Sequence, residues 1–285
     1  MKPELPAAVF AAPPSGWRVW WTATRPRTLS ISATPVLVGS TLAWAEGAAP
    51  AWFLMLAALF CAVLIQVGTN LHNDAADFVG GNDRPDRVGP LRVTAAGWAS
   101  PGAVRRAAIF SFAMALVLGS FLVAVGGWPI LIAGLASLLA GWSYSGGRYP
   151  ISHTPLGEVF VLVFFGLVAV AGSHWLQLAA WSPKALLAGI VVGMPAAAVL
   201  LVNNYRDLED DVRSGRRTLA ALVGRKQSRR IYALLMLLPF PILVLIALQG
   251  MSGALLGLLA LPFSLSLIRR LHRTQPGPQL NLLLA

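Results

Sequence analysis

Eight apolar stretches divide the chain, near residues 29–45, 51–69, 107–126, 128–145, 157–174, 184–202, 231–249 and 252–268, each 17 to 20 residues long. A helix needs about 20 residues to cross the hydrocarbon core of a bilayer. Backbone polar groups inside lipid must bond within their own segment or to a neighbouring strand, and long unbroken apolar runs meet this as helices. With 56% hydrophobic and only 12% charged residues, the chain has too little polar surface for a soluble domain of its length. The expectation is an all-α, polytopic transmembrane helical bundle. The tail Gln279-Leu280-Asn281-Leu282-Leu283-Leu284-Ala285 starts another apolar run, which reads as the opening of a ninth, truncated span.

Charge sets the expected orientation. Lys2, Arg18, Arg25 and Arg27 precede the first span, and Arg84, Arg87, Arg92, Arg105 and Arg106 lie between spans two and three. Arg148 follows span four, eight basic residues occupy 203–230, and Arg269, Arg270 and Arg273 follow span eight. Only Lys184 falls in the other set of connections. The positive-inside rule then places the N-terminus and these loops in the cytoplasm. The net charge of +11 reads as topology and attraction to anionic membrane lipid, not as nucleic-acid binding. Residues 1–28, rich in proline and with Trp17, Trp20 and Trp21 beside Arg18 and Arg25, read as an interfacial segment, not a cleaved leader. The transmembrane domain is then 29–285. The lone Cys61, inside span two, excludes an internal disulfide and reads as core filler.

Acid is scarce, and most of it sits in two windows. Asn70-Leu71-His72-Asn73-Asp74-Ala75-Ala76-Asp77, continuing to Asp83 and Asp86, follows span two. Asn203-Asn204-Tyr205-Arg206-Asp207-Leu208-Glu209-Asp210-Asp211 follows span six. Glu4, Glu46 and Glu158 stand apart. Charge at a membrane helix end is costly unless paired or bound to a cation, so it marks function. Asn73 precedes Asp77 by four, Asn203 precedes Asp207 by four, and Asp211 follows four later, which puts each set on one helical face. Carboxylate and amide oxygens are hard ligands suited to Mg2+, which takes one or two carboxylates plus substrate phosphate oxygens. Interleaved arginines (Arg84, Arg87 and Arg92, then Arg206, Arg213, Arg216 and Arg217) add forks that grip phosphate. Solvated loop charges are the bland alternative, and they account better for Glu209, Asp210 and Asp86 than for the repeated Asn-x-x-x-Asp. A divalent-cation transporter also places carboxylates in spans, but it needs polar groups at mid-depth, where these spans are nearly bare. The Asp-Gly-x-x-Ala-Arg signature of lipid head-group phosphotransferases is absent.

Asn73-Asp74-Ala75-Ala76-Asp77 and Asp207-Leu208-Glu209-Asp210-Asp211 resemble the two aspartate-rich motifs of the UbiA-type membrane prenyltransferases. Within that superfamily the chain is most similar to the 1,4-dihydroxy-2-naphthoate prenyltransferases of menaquinone synthesis. The stretches that carry this are Arg25-Pro26-Arg27-Thr28-Leu29, Gly81-Asn82-Asp83 through Arg87-Val88-Gly89-Pro90, and Tyr144-Ser145-Gly146-Gly147-Arg148-Tyr149-Pro150. Asn203-Asn204-Tyr205-Arg206-Asp207 running to Gly215-Arg216-Arg217-Thr218-Leu219 completes them. Arg216 stands where lysine is common and Glu158 where aspartate is.

The resemblance implies a bundle of about nine helices and a Mg2+-dependent transfer of a polyprenyl group from polyprenyl diphosphate to an aromatic acceptor, in a bacterial inner membrane. The implied acceptor is 1,4-dihydroxy-2-naphthoate, with 4-hydroxybenzoate or homogentisate as alternatives. On this reading Asp77, Asp207 and Asp211 are catalytic, and the metal set is Asn73, Asp74, Asp77, Asp83, Asn203, Asp207 and Asp211. Arg87, Arg206 and Arg217 contact the diphosphate, and Arg148 or His153 holds the acceptor's carboxylate.

Overall fold

Proline and glycine punctuate the apolar runs where the helices turn over. The computed structural model describes residues 14–81, 83 and 89–282, and among these there is no strand. Helix α1 (Gly16–Thr24) stops at Arg25, whose φ of 52° is left-handed, and a short 3-10 turn leads into α2 (Leu29–Ala45). Then follow α3 (Trp52–Val79), α4 (Pro101–Gly126) and α5 (Trp128–Ser143). Helix α6 (Gly157–Leu178) contains a π-helical segment, Leu162–Val168. The rest of the chain forms α7 (Pro183–Arg206), α8 (Leu208–Arg213), α9 (Leu219–Leu248) and α10 (Ser252–Arg273). Ser100, Ser182 and Thr218 cap α4, α7 and α9, each side-chain oxygen accepting the amide three residues on. Gly224, at φ 72°, kinks α9 after its first turn.

Among the described residues, seven helical stretches are long and apolar enough to cross a membrane, and the shorter α5 completes the eight expected from sequence. One difference bears on the site. The apolar run of α3 ends near residue 69, but the helix continues to Val79 and carries the first acidic window on its last turns. At 28 residues it is about 42 Å long, against a hydrocarbon core of about 30 Å.

Lipid chains are as apolar as leucine, so helices in a membrane associate through close packing of small residues. Here α3 packs on α4, α2 on the second half of α6, and the π segment on α7. At that last crossing a Cβ on Gly166 would lie 2.4 Å from the carbonyl oxygen of Gly189, so only glycine permits the approach. Phe53, Phe60, Phe110, Leu139, Leu259 and Phe263 face outward, an apolar belt far larger than a soluble monomer exposes.

Two buried clusters set the ends of the site-bearing helices. Leu71 and Ala75 of α3 pack with Val93, Val104 and Ala108, and with Val19 and Ala23 of α1, whose Trp17, Trp20 and Trp21 point outward. Leu201, Val202 and Tyr205 of α7 pack with Tyr232, Met236 and Leu271.

Candidate active site

Because α3 stays helical through its polar end, residues four apart share a face, and the structure separates two such faces. On one, Asn73 donates to Asp77 Oδ2 (3.2 Å) and to Ser145 Oγ (2.7 Å), while its Oδ1 accepts from Arg25 Nη2 (3.1 Å). On the other, Asn70 donates to the Thr24 carbonyl and to Thr28 Oγ1, each at 2.9 Å. Asp74 accepts the amides of Val93 (3.1 Å) and Thr94 (3.2 Å) and the Thr94 hydroxyl. Asp74, expected among the metal ligands, is thus occupied in folding the 92–99 loop onto α3. That loop in turn presents Arg92. Arg92 Nη1 bonds the Asn73 carbonyl (3.0 Å) and lies 2.5 Å from Asp77 Oδ2, and its Nε lies 3.2 Å from Asp83 Oδ1.

The second window turns at Asp207, whose ψ of 11° ends α7 and begins α8. The amides of Asp207 and Asp211 still bond back four residues, to Asn203 and Asp207, so the column survives the break. Asp211 Oδ2 accepts from Thr218 Oγ1 (3.2 Å). Gly215, at φ 75°, turns the chain so that Arg216 returns toward α3. Arg216 Nη2 bonds Asp77 Oδ1 at 2.7 Å and its Nη1 lies 3.7 Å from Asp211 Oδ1. One guanidinium therefore joins the two windows, and the two carboxylates are only 4% and 7% exposed.

Arg206 departs from its expected role as a diphosphate contact. It is buried, its Nε and Nη2 each lie 2.7 Å from the Asp207 carboxylate, and its Nη1 donates to Asn281 (2.8 Å). Those bonds fasten the end of α7 to the segment after α10. Asp207 accordingly spends its oxygens on Arg206, one helical turn from Asp211. Glu209 pairs with Arg225 and Asp210 with Arg213 at the surface.

Arg217 is exposed, and its amide bonds the His153 carbonyl (2.9 Å). His153 is half-buried near the site. Burial pushes its pKa below the ordinary imidazole value, the Arg216 charge adds to this, and Asp77 opposes it. Arg148 is exposed and lies over the Tyr149 ring at 5.5 Å, so it is not brought to the acids. Arg87 lies outside the described residues.

Burial raises the Asp211 carboxyl to about 6; Arg216 and the Thr218 bond pull it down, while Asp207 and Asp210 push it up. Among the described residues no three His, Cys, Asp or Glu side chains gather as a ready metal cage. The donor set is instead two buried carboxylates matched by guanidinium groups. It fits Mg2+ as Mg2+ is held beside phosphates, by one or two carboxylates with the remaining oxygens from substrate and water.

A chamber of about 240 Å³ adjoins the two windows at Arg25, Asn70 and Asn203. Arg25, Asn70, Tyr144 and Asn203 are among its polar lining, with Gln66, Thr69 and Ser137; Phe160, Phe164, Phe165, Val199 and Leu200 supply much of its apolar wall. Two of those phenylalanines sit on the π segment, a distortion that recurs at functional sites because it re-aims side chains. Sequence does not single out Arg25, Ser145 and Tyr144 as site groups, and it offers Arg92 and Arg216 only among the seven interleaved arginines, outside the diphosphate set of Arg87, Arg206 and Arg217. The available signal was that Arg25 and Tyr144-Ser145 fall in the family-like stretches; nothing ranked Arg92 or Arg216 above the neighbouring arginines.

Residues 32–281 match the UbiA prenyltransferase family, and the chain belongs to it. It is 36% identical to the 1,4-dihydroxy-2-naphthoate octaprenyltransferase of Escherichia coli (strain K12), over 77% of this chain and 73% of that one. It is 33% identical to the enzyme of that name from Mycobacterium leprae, over 92% and 88%. Among solved structures, a UbiA homologue from Archaeoglobus fulgidus shares the fold, with a TM-score of 0.69 at 15% identity over 93% of this chain and 92% of that one. The same protein bound to DMAPP and Mg2+ gives a TM-score of 0.67, covering 93% and 94%. The expected family, helical membrane fold and prenyltransferase class are those found.

Proposed function

We propose that this membrane enzyme transfers a polyprenyl group from polyprenyl diphosphate to 1,4-dihydroxy-2-naphthoate, with loss of the acceptor's carboxyl group, giving demethylmenaquinol, the reduced form of demethylmenaquinone. The observation that carries the reading is the junction of two environments. Arg25 lines the chamber and bonds Asn73, which bonds Asp77, so a charged seat adjoins a largely apolar space. That is the shape of one amphipathic substrate, a diphosphate head on a hydrocarbon tail. The relatives named above supply the acceptor.

In this scheme Arg25, Arg92 and Arg216 are the guanidinium groups nearest the diphosphate. Asp77 and Asp211 hold the metal, with Asp207 one turn away and Asn73 orienting Asp77. Mg2+ bound there supplies charge neutralisation for the departing diphosphate. The allylic C–O bond breaks and diphosphate leaves. The electron-rich ring then forms the new C–C bond at the carboxyl-bearing carbon, and carbon dioxide departs. Phe160, Phe164 and Tyr144 keep water from the electron-poor allylic carbon and offer it aromatic faces. His153, beside Arg216, replaces Arg148 as the group for the acceptor's carboxylate. The orientation that agrees with the basic loops puts this seat on the cytoplasmic side of a bacterial plasma membrane.

The test is mass spectrometry of products from purified protein given prenyl diphosphate, Mg2+ and one acceptor at a time. A decarboxylated prenyl-naphthoquinol from 1,4-dihydroxy-2-naphthoate alone is expected. Preferential prenylation of 4-hydroxybenzoate or homogentisate would overturn the acceptor assignment.

A further inference from the structure

Two nearly buried carboxylates facing each other are unstable unless a cation lies between them. Here the chain itself supplies that cation. Arg216 Nη2 contacts Asp77 and its Nη1 approaches Asp211, while Arg92 covers Asp77 and Asp83. Among the described residues, the guanidinium groups of Arg216, Arg92 and Arg25 stand close to Asp77, Asp83 and Asp211 or to the Asn73 that bonds Asp77. The backbone of Arg216 is fixed, its amide bonding the Asp211 carbonyl (2.9 Å) and that of Arg217 bonding His153, which leaves the side chain as the part able to move. Its Nε is buried and has no acceptor, so the group reaches both acids without satisfying all its donors.

We propose that Arg216 is an internal counter-cation that bars the acidic seat to free divalent ions and yields only when metal and diphosphate arrive together. The inference rests on the reading of the site given above. A divalent ion arriving alone must displace Arg216 with no anion to receive the freed guanidinium. Diphosphate arriving alone meets two carboxylates whose charge Arg216 already offsets. When both arrive, the metal takes Asp77 and Asp211 and Arg216 transfers to diphosphate oxygens, for which its planar fork is suited. Binding is therefore coupled through one side chain, and linkage makes the coupling equal in both directions.

The measurement is Mn2+ binding to the purified full chain, read from the free-ion paramagnetic resonance signal at alkaline pH. It is made with and without a non-reactive prenyl thiolodiphosphate, so no turnover is involved. Wild type should bind Mn2+ weakly alone and about tenfold more tightly with the thiolodiphosphate, within the usual range of coupling between sites. Arg216→Gln should bind Mn2+ alone about tenfold more tightly than wild type and gain little from the thiolodiphosphate. Arg216→Lys keeps the charge but loses the fork that spans both acids. It should bind Mn2+ alone with intermediate affinity, and it carries the test if the glutamine variant does not fold. Equal Mn2+ affinity in wild type and both variants would overturn the proposal while leaving the metal site standing. Failure of wild type to bind Mn2+ even with thiolodiphosphate would instead overturn the reading of the site itself.

Discussion

Glu46 Oε2 lies 2.7 Å from His174 Nε2, joining the connection after α2 to α6 at the opposite end of the bundle from the acid–arginine site. The other carboxylate oxygen accepts from Ser182 Oγ (3.0 Å), and Lys184, the one basic residue of that face, lies 3.4 Å away. Burial works against the Glu46 charge, but the His174 and Ser182 bonds, the His174 charge and the Lys184 bond outweigh it and hold the carboxyl below its ordinary value. Glu46→Ala should therefore lower stability on the order of 2 kcal/mol, seen as an earlier thermal transition in detergent, with the prenyl diphosphate KM unchanged. A depressed folded-state pKa gives stability that is present above the unfolded value of 4.5 and is lost as pH falls through the folded value. The wild-type transition should thus decline more steeply than that of Glu46→Ala in the acid range. Parallel acid curves would refute this role.

The aspartates of the two windows should separate into distinct phenotypes. Asp77→Ala and Asp211→Ala remove the two carboxylates that Arg216 joins, and each should lower turnover at least about 100-fold while the protein still purifies. Asp74→Ala orphans the buried Val93 and Thr94 donors and should cost on the order of 3 kcal/mol of stability, appearing as poor yield and early melting. Glu209→Ala, at an exposed pair with Arg225, should leave turnover within about threefold. Turnover of Asp211→Ala near that of wild type would remove the second window from the site.

How much of this was legible in sequence depends on range. The eight spans follow from local hydrophobicity, which the structure had no means to override. The pairing of Asn73 with Asp77 follows from helical spacing, and α3 is helical there. Asp74 shares that local pattern yet does another job, because the 92–99 loop that claims it lies about twenty residues away and its fold is not written in the acidic motif. Arg206 and Arg216 are alike as sequence. A buried position beside Asp207 ties one to Asn281, whereas the turn at Gly215 sends the other to Asp77. The π segment of α6 left no sequence signal, since its residues are as apolar as any other span.

Asp211 gives the site a pH signature. Its folded-state value of about 6 is above the ordinary 3.8, so its contribution to stability is full below 3.8 and is lost as pH rises through about 6. Metal binding requires the ionised form, so metal affinity should move the other way, level above pH 6 and falling about tenfold per unit below it. The titration to run is diphosphate-supported Mn2+ binding from acid to neutral pH. Arg216→Gln, which removes a charge that lowers Asp211, should shift the acid limb to higher pH. A limb unmoved in that variant would disconnect Arg216 from Asp211.

Both acidic windows must open on the same side of the membrane, because one guanidinium touches Asp77 and approaches Asp211. That contact fixes the sidedness of the windows relative to each other without using the charge of the loops. The basic residues then choose the side, 21 of the 22 lying in the connections that share a face with these windows. Single cysteines in a Cys61→Ser background give the measurement. Leu91 and Val212 are exposed next to the two windows, at 45% and 57%, and Trp181 is exposed at 65% between α6 and α7, on the opposite face. In intact cells a membrane-impermeant maleimide should label Trp181→Cys but neither Leu91→Cys nor Val212→Cys, and permeabilisation should expose both. Labelling of both window cysteines from outside would reverse the orientation and leave the site intact. Labelling of only one would contradict the Asp77–Arg216–Asp211 contact, and with it the single diphosphate seat on which the proposed reaction depends.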